Sequence, residues 1–516
     1  FWEVNINKIG RENDWRKHPK GGGFRKWYGN AEYVVLWTES AKEHYRKDHI
    51  ARIPVEKVWN LKGITWTAIS SSTLSFRLKS EDEIANNAAL FIYPKDHRNL
   101  YLVLACLNAC QTQIFLKVIS PTLNFLVGDI LSLPIPKEIE NHKIINNLCE
   151  KLIELEKDDW DSQESSWDFQ QNELIRIKGQ DLEETYDLYQ QYWNNKFFQL
   201  HKNEEELNKQ FIDIYGLQDE LTPDVPLEDI TILKEETKIV NNELVFQAKE
   251  VFTQFMSYAV GSMFGRYSLD KEGLILANQG ETLSDYLAKI QRSNSKFQNL
   301  SDLTFLPDDD YIIPVLDDEY FEDDIVGRFY GFLKASFGKE NFDKNLVFVE
   351  ECLGKDVRKY FVKDFYKDHI KRYKKRPIYW MFSSPKGSFN VLIYMHRYTP
   401  DTLNQILNSY LVEYREKLKS RMEHLDHIIE TGSSVEQTKA GKEQDKLKVV
   451  LLELQEYERE ILYPLATERI SIDLDDGVLV NYNKFGKAIQ ELKGLNDKVT
   501  KKKVREFDWV DTEKII

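Results

Sequence analysis

Cysteine is almost absent. Cys106, Cys110, Cys149 and Cys352 are the whole supply in 516 residues, and none forms a CxxC pair. That excludes a disulfide-built secreted scaffold and suits a reduced, cytoplasmic setting. Cys106 and Cys110 lie four apart in an apolar run, a spacing that turns both towards one core rather than towards a metal. No run of about 18 apolar residues occurs, so no membrane-spanning helix is expected. The phosphate-cradling GxxxxGK[ST] loop, a GxGxxG turn after a strand and a GxSxG nucleophile elbow are all missing. So is the Asn-Pro-Pro-Tyr motif with which amino-methyltransferases hold a flipped base, and no recognisable motif for S-adenosylmethionine is present. The chain opens on Phe1 without a signal-peptide pattern, and reads as a fragment that starts within a longer protein.

What is present suits a globular protein of about three domains. The composition is 42% hydrophobic and 30% charged, with aromatics at 13%. A net charge of −15 argues at first against a nucleic-acid partner, but the charge is unevenly spread. Residues 1–135 carry 18 Lys or Arg against 13 Asp or Glu, leaving the excess acid to the remainder. Basic groups gathered on one face are compatible with DNA binding even in an acidic chain.

The pattern along the chain predicts an α+β fold in three parts, with no Rossmann-like domain. Residues 1–136 read as a mixed domain: strand-like runs at 33–37 and 64–69, one apolar helix over 99–118, and a stop at Leu133-Pro134-Ile135-Pro136. Residues 137–221 read as a helical connector with an acidic, tryptophan-bearing interruption at 157–168. Residues 222–516 read as a mixed C-terminal domain. It has an apolar helix near 244–264, acidic runs over 308–324 and a helical hairpin over 402–463 with arms at 402–430 and 446–463. A terminal β-hairpin is expected over 470–482, where apolar residues alternate on either side of Asp475-Asp476-Gly477.

The strongest chemical signal is a basic and aromatic cluster. Arg11, Arg16, Lys17, Lys20, Arg25 and Lys26 interleave with Trp15, Phe24, Trp27 and Tyr28 around Gly21-Gly22-Gly23, with Asn30 just beyond. Glycines let backbone amides approach phosphates, cations neutralise them, and aromatics stack on bases. A solvated basic loop anchored to its own domain by Trp and Tyr fits the same residues. Ser71 in the Ser70–Thr73 run, followed by Arg77, offers hydroxyl and guanidinium donors for base edges; a plain turn is the other reading. Six lysines recur every four residues from Lys355 to Lys375, and a solvated helix face accounts for most of them. Their dense end, Lys371, Arg372, Lys375 and Arg376, is the candidate for phosphate contact. The acids between 308 and 324 lack the lysine that metal-dependent phosphodiester cleavage needs, and are not read as catalytic. No metal ligand set is read from His424 and His427.

Several stretches together resemble one known family, the PglX adenine methyltransferases of BREX phage-defence systems. They are GGFRKWYGN at 22–30, ITWTAIS at 64–70, ISPTLNF at 119–125, DDWD at 158–161 with SWDF at 166–169, YAVGSMFGRYSL at 258–269, RPIYW at 376–380, IYMHRY at 393–398 and IDLDDGV at 472–478. The resemblance covers nearly the whole chain in one order. It implies a target-recognition domain and a C-terminal domain that read duplex DNA, while a Rossmann-like domain outside this sequence binds S-adenosylmethionine and methylates adenine N6. Double-stranded DNA and other BREX proteins are the implied partners. The absent catalytic motifs imply that this chain alone does not methylate. A scaffold that docks other defence subunits through its acidic C-terminal region is the rival reading.

Overall fold

In the computed structural model, residues 2–51, 53–70, 73–84, 86–140, 142–507 and 509–516 are described. They form two compact units, one of residues Ile6–Val251 and one of Phe252–Ile516 together with Trp2–Asn5. The division falls inside the helix Ala248–Met263.

In the first unit β1 (Trp15–Lys17) pairs antiparallel with β2 (Val34–Leu36). A second antiparallel sheet has β3 (Gly63–Thr67) between β4 (Phe76–Lys79) and β5 (Ala89–Ile92). Its β-branched and aromatic centre, Ile64, Thr65 and Trp66, is buried on both faces. The expected single helix over 99–118 is two helices, Leu100–Asn108 and Cys110–Ile119, bent by 74°. The break has a local cause. Asn108 gives its side chain to β4, accepting from Phe76 N at 3.0 Å and donating to Phe76 O at 2.9 Å. Ala109 is extended, and the carbonyl of Cys106 accepts instead from Thr112 Oγ1 at 2.6 Å and from Gln111. No single helix is long and apolar enough to cross a membrane.

Helices Lys143–Asp161 and Leu182–Tyr215 pack against each other in the same unit. The second starts where Asp181 accepts from Glu184 N at 3.0 Å and stops at Gly216, whose φ of 67° ends the last turn. The expected interruption at 157–168 begins only after Asp161. The hairpin β6 (Thr237–Val240) and β7 (Glu243–Phe246) completes the unit, so the apolar stretch near 244 starts as a strand before the helix Ala248–Met263.

The second unit centres on an antiparallel sheet, with β10 (Asn390–Tyr394) between β8 (Ile312–Pro314) and β9 (Tyr379–Ser383). The helical hairpin is present and longer than expected. Its first arm includes the helix Val412–Thr431, and the second arm starts at Ser434 instead of 446. Ser433 and Glu436 form a capping box that starts this arm directly after Gly432. The terminal β-hairpin is absent. Residues Leu474–Asp476 form a 3-10 turn and Gly477–Tyr482 a helix. Val478, Val480 and Tyr482 are buried beside Asn481, so in so short a segment alternation does not distinguish a strand from a helix buried all round. Glu3 Oε2 accepts from Val478 N at 2.7 Å, and Asn481 Nδ2 donates to Asp473 O at 2.6 Å, which holds the helix from outside.

Candidate nucleic-acid interface

The glycine and aromatic segment at 21–30 lies along the edge of β4. Trp27 N donates to Phe76 O at 2.9 Å and Leu78 N to Trp27 O at 2.8 Å, so the loop continues the sheet. Trp27 itself holds φ 63°, and Gly29, at φ 110°, passes where a Cβ would lie 2.8 Å from the Trp160 ring. Arg77, fully buried, donates to the carbonyls of Arg25 at 3.1 Å and Gly21 at 3.3 Å. Burial lowers its guanidinium to about 10. It is a brace for the loop. Asn30 Nδ2 closes the turn on Gly23 O at 2.9 Å.

The basic side chains of this segment turn largely inward. Arg25 ion-pairs with Asp159, lies 3.3 Å from Glu156 Oε2, donates to Tyr28 O at 3.0 Å and sits 5.1 Å from the Trp160 ring centre. Lys26 Nζ reaches Glu204 Oε2 at 2.6 Å, while Trp27 Nε1 donates to the other oxygen of that carboxylate at 2.7 Å. Arg16 is buried and donates to the carbonyls of Asp82 and Glu81 and to Asn60 Oδ1. Lys17 stacks over Trp167 at 5.0 Å, and the exposed Lys20 over Tyr33 at 4.9 Å. Ser71 lies outside the described residues.

The sequence reading missed the acids that make this network. Glu156, Asp159 and Glu204 stand on the buried faces of the two long helices, and Thr231 Oγ1 donates to Glu156 while Leu233 N donates to Asp159 at 2.8 Å. A carboxylate at an otherwise apolar helix register is the signal that could have exposed them. Burial pushes Glu156 up to about 8, against the pull of Arg25. Freeing Arg25 for a base edge would leave those acids uncompensated, at a cost of about 3–5 kcal/mol. Beside the loop opens a cleft of ≈ 670 Å³, lined by Phe24, Lys26, Lys117, Ser120, Thr122 and Asp224 among others.

In the second unit the helix Tyr366–Arg372 leads into a turn where Lys374 and Lys375 hold φ 51° and 61°. Lys371 and Lys375 are exposed; Arg372 donates to Thr253 O and Oγ1 at 3.3 Å, and Arg376 O accepts from Trp2 Nε1 at 2.9 Å. A π turn at Phe361–Phe365 interrupts the four-residue lysine register, and Lys355, Lys359 and Lys367 pair with Asp364 or Asp356. The solvated-face reading holds for those three. Of the acidic stretch, Asp308, Asp310 and Asp323 bring carboxylate oxygens within 4.8 Å of one another, and Tyr410 O–H donates to Asp310 and Asp323 at 2.8 and 2.6 Å. Burial, then the neighbouring Asp310, pushes the Asp308 carboxyl up to about 8.

By fold and site, then, the chain is an α+β protein of two units whose basic and aromatic segment is braced and neutralised from within. No protein-family model matches it. It is 34% identical over 517 residues, 96% of this chain, to the adenine-specific methyltransferase BrxX of Escherichia coli O9:H4 (strain HS). It is 35% identical over 502 residues, 93% of this chain, to the adenine-specific methyltransferase PglX of Lacticaseibacillus casei (strain Zhang). The chain belongs to this BrxX/PglX family of adenine-specific methyltransferases. It spans 42% and 39% of the length of those two relatives.

Proposed function

We propose that the chain supplies the DNA-recognition part of a site-specific adenine-N6 DNA methyltransferase, of the kind that marks host DNA as self in BREX defence. The observation that carries this reading is the match over 96% of the chain to a protein named an adenine-specific methyltransferase. S-adenosylmethionine is then held in the part of those longer proteins that this chain does not span, and residues 1–516 contribute binding and positioning without a group for methyl transfer. With Arg25 and Arg77 occupied inside the fold, outward contact falls to other groups. Exposed Lys20 and Lys117, and the hydroxyls of Ser120 and Thr122 at the cleft, support that role in the first unit; exposed Lys371 and Lys375 support it in the second. Phosphate contacts of this kind orient a duplex, and base-edge donors specify it.

Titration of a labelled duplex with the chain at several salt concentrations tests the reading. Binding should weaken with salt by about 0.9 logarithmic units per decade for each phosphate neutralised. Absence of duplex binding at low salt would sink it and favour the scaffold reading, for which the acidic runs at 308–324 are the supporting feature.

A further inference from the structure

The basic side chains around the glycine loop have internal partners. A different set, at the end of the second unit, has no ion pair among the described residues, and only Arg505 has a backbone partner, donating to Ile515 O at 2.8 Å. The helix Lys498–Val504 starts at Asp497, whose carboxylate accepts from Val499 N at 3.1 Å and Thr500 N at 3.2 Å. Val504 is fully buried and packs with Val480 and Ile515, which fixes the helix to the unit. Lys498, Lys501, Lys502 and Arg505 follow the i, i+3, i+4, i+7 spacing of one helix face. That face lines a cleft of ≈ 1030 Å³, to which Lys487 adds a fifth cation. Among the described residues Glu491 is the one carboxylate in the lining. The opposite wall is built on β9: Ser383 N donates to Ala488 O at 3.0 Å and Gln490 N to Met381 O at 2.9 Å. That pairing sets Ser383, Ser384 and Gln490 at the cleft, and Asn496 joins them.

Among the described residues, none of Lys487, Lys498, Lys501 and Lys502 has a carboxylate within ion-pair distance. In a chain with a net charge of −15, five cations facing one carboxylate in a single cleft are a local excess of positive charge. A cleft lined by one sign of charge focuses the resulting potential. Burial lowers the Lys501 ammonium, Glu491 pulls it up, and Arg505 and Lys487 push it down.

We propose that Lys487, Lys498, Lys501, Lys502 and Arg505 form a second nucleic-acid site, a cleft that takes the phosphate backbone of duplex DNA independently of the sequence read by the first unit. The four helix cations span about 10 Å along the axis. Along the duplex axis one strand offers a phosphate about every 3.4 Å, so a face laid along that axis matches about three phosphates. On the facing wall the exposed Gln490 amide is a donor suited to phosphate oxygens, while Ser383 Oγ is already given to Asn390 Oδ1 at 2.7 Å and Pro385, Ile461 and Ile489 complete the lining. The identity of the polyanion as DNA rests on the function proposed above; the cleft as a polyanion site does not.

The test is duplex binding by the full 516-residue chain, measured by anisotropy at several salt concentrations. Wild type is compared with Lys498→Ala/Lys501→Ala/Lys502→Ala. Lys493→Ala/Lys503→Ala serves as control, since it removes exposed lysines that do not line the cleft. All replaced side chains lie at the surface or half-buried, and matching thermal melts establish that the variants fold. The triple variant should lose about two to three units of salt slope, and the control less than one. A triple variant that keeps the wild-type slope overturns the cleft and leaves the proposed function standing. If the wild type ignores duplex DNA but binds poly-L-glutamate, and the triple variant loses that binding, the DNA assignment falls and an acidic protein is the ligand. If wild type binds neither probe, both readings fall.

Discussion

Replacing Arg25 with alanine distinguishes a base-reading arginine from a structural one. The guanidinium ion-pairs with Asp159, lies 3.3 Å from Glu156, donates to Tyr28 O at 3.0 Å and stacks 5.1 Å from the Trp160 ring centre. Arg25→Ala removes one side of a buried ionic network, a loss of about 3–5 kcal/mol. Two features temper it: Asp159 keeps its bond from Leu233 N, and Glu156, already raised to about 8, takes up a proton more readily once Arg25 is gone. The net expectation is about 3 kcal/mol, towards the lower end of that range. Denaturant unfolding followed by tryptophan fluorescence reads it, because Trp160 lies against the network and Trp27 beside it. Arg25→Ala/Glu156→Gln/Asp159→Asn should recover part of the loss, because removing the whole charge set costs less than stranding half of it. If Arg25→Ala leaves the unfolding midpoint unchanged while abolishing binding to one duplex and sparing a scrambled one, the arginine reads a base and the structural argument is wrong.

Two further substitutions follow from local geometry. Gly29→Ala forces φ 110° on an L side chain and brings its Cβ within 2.8 Å of Trp160, so the first unit should lose about 1–3 kcal/mol in the same denaturation assay; an unchanged midpoint would mean that the turn relaxes freely. Asp308 has an ordinary value of 3.8 raised to about 8, so its contribution to stability is complete below the lower value and is lost as pH rises through the upper one. Asp308→Asn should therefore flatten the decline in stability between about pH 4 and pH 8, measured as thermal midpoint against pH, and an unaltered profile would show that other groups set it.

Some of the architecture was legible from local pattern. The β-branched and aromatic run at 64–69 covers most of β3; Asp181 and Gly216 at the ends of one helix and the capping box at Ser433 and Glu436 were equally local signals, although the second arm was expected only from 446. Each depends on groups within a few residues, so the sequence states both partners side by side. The cation face at 498–505 was equally legible, because helical spacing puts those residues on one side whatever lies opposite. The sequence reading passed over it.

The rest depended on groups far along the chain. Alternation over 470–482 suggested strands, yet Glu3, more than 470 positions away, holds the segment as a helix by bonding Val478 N. The apolar run at 99–118 carries no breaker, but Phe76 on β4 claims the side chain of Asn108 and the helix bends there. The basic loop shows the same division most sharply. Composition alone determined that 21–30 would be glycine-permissive, cationic and aromatic. Whether those cations face solvent or the interior was decided by Asp159, 134 positions from Arg25, and Glu204, 178 from Lys26. A charge in sequence has a sign but no neighbour. Only the packed helices supply the neighbour, and burial then sets how strongly the pair holds.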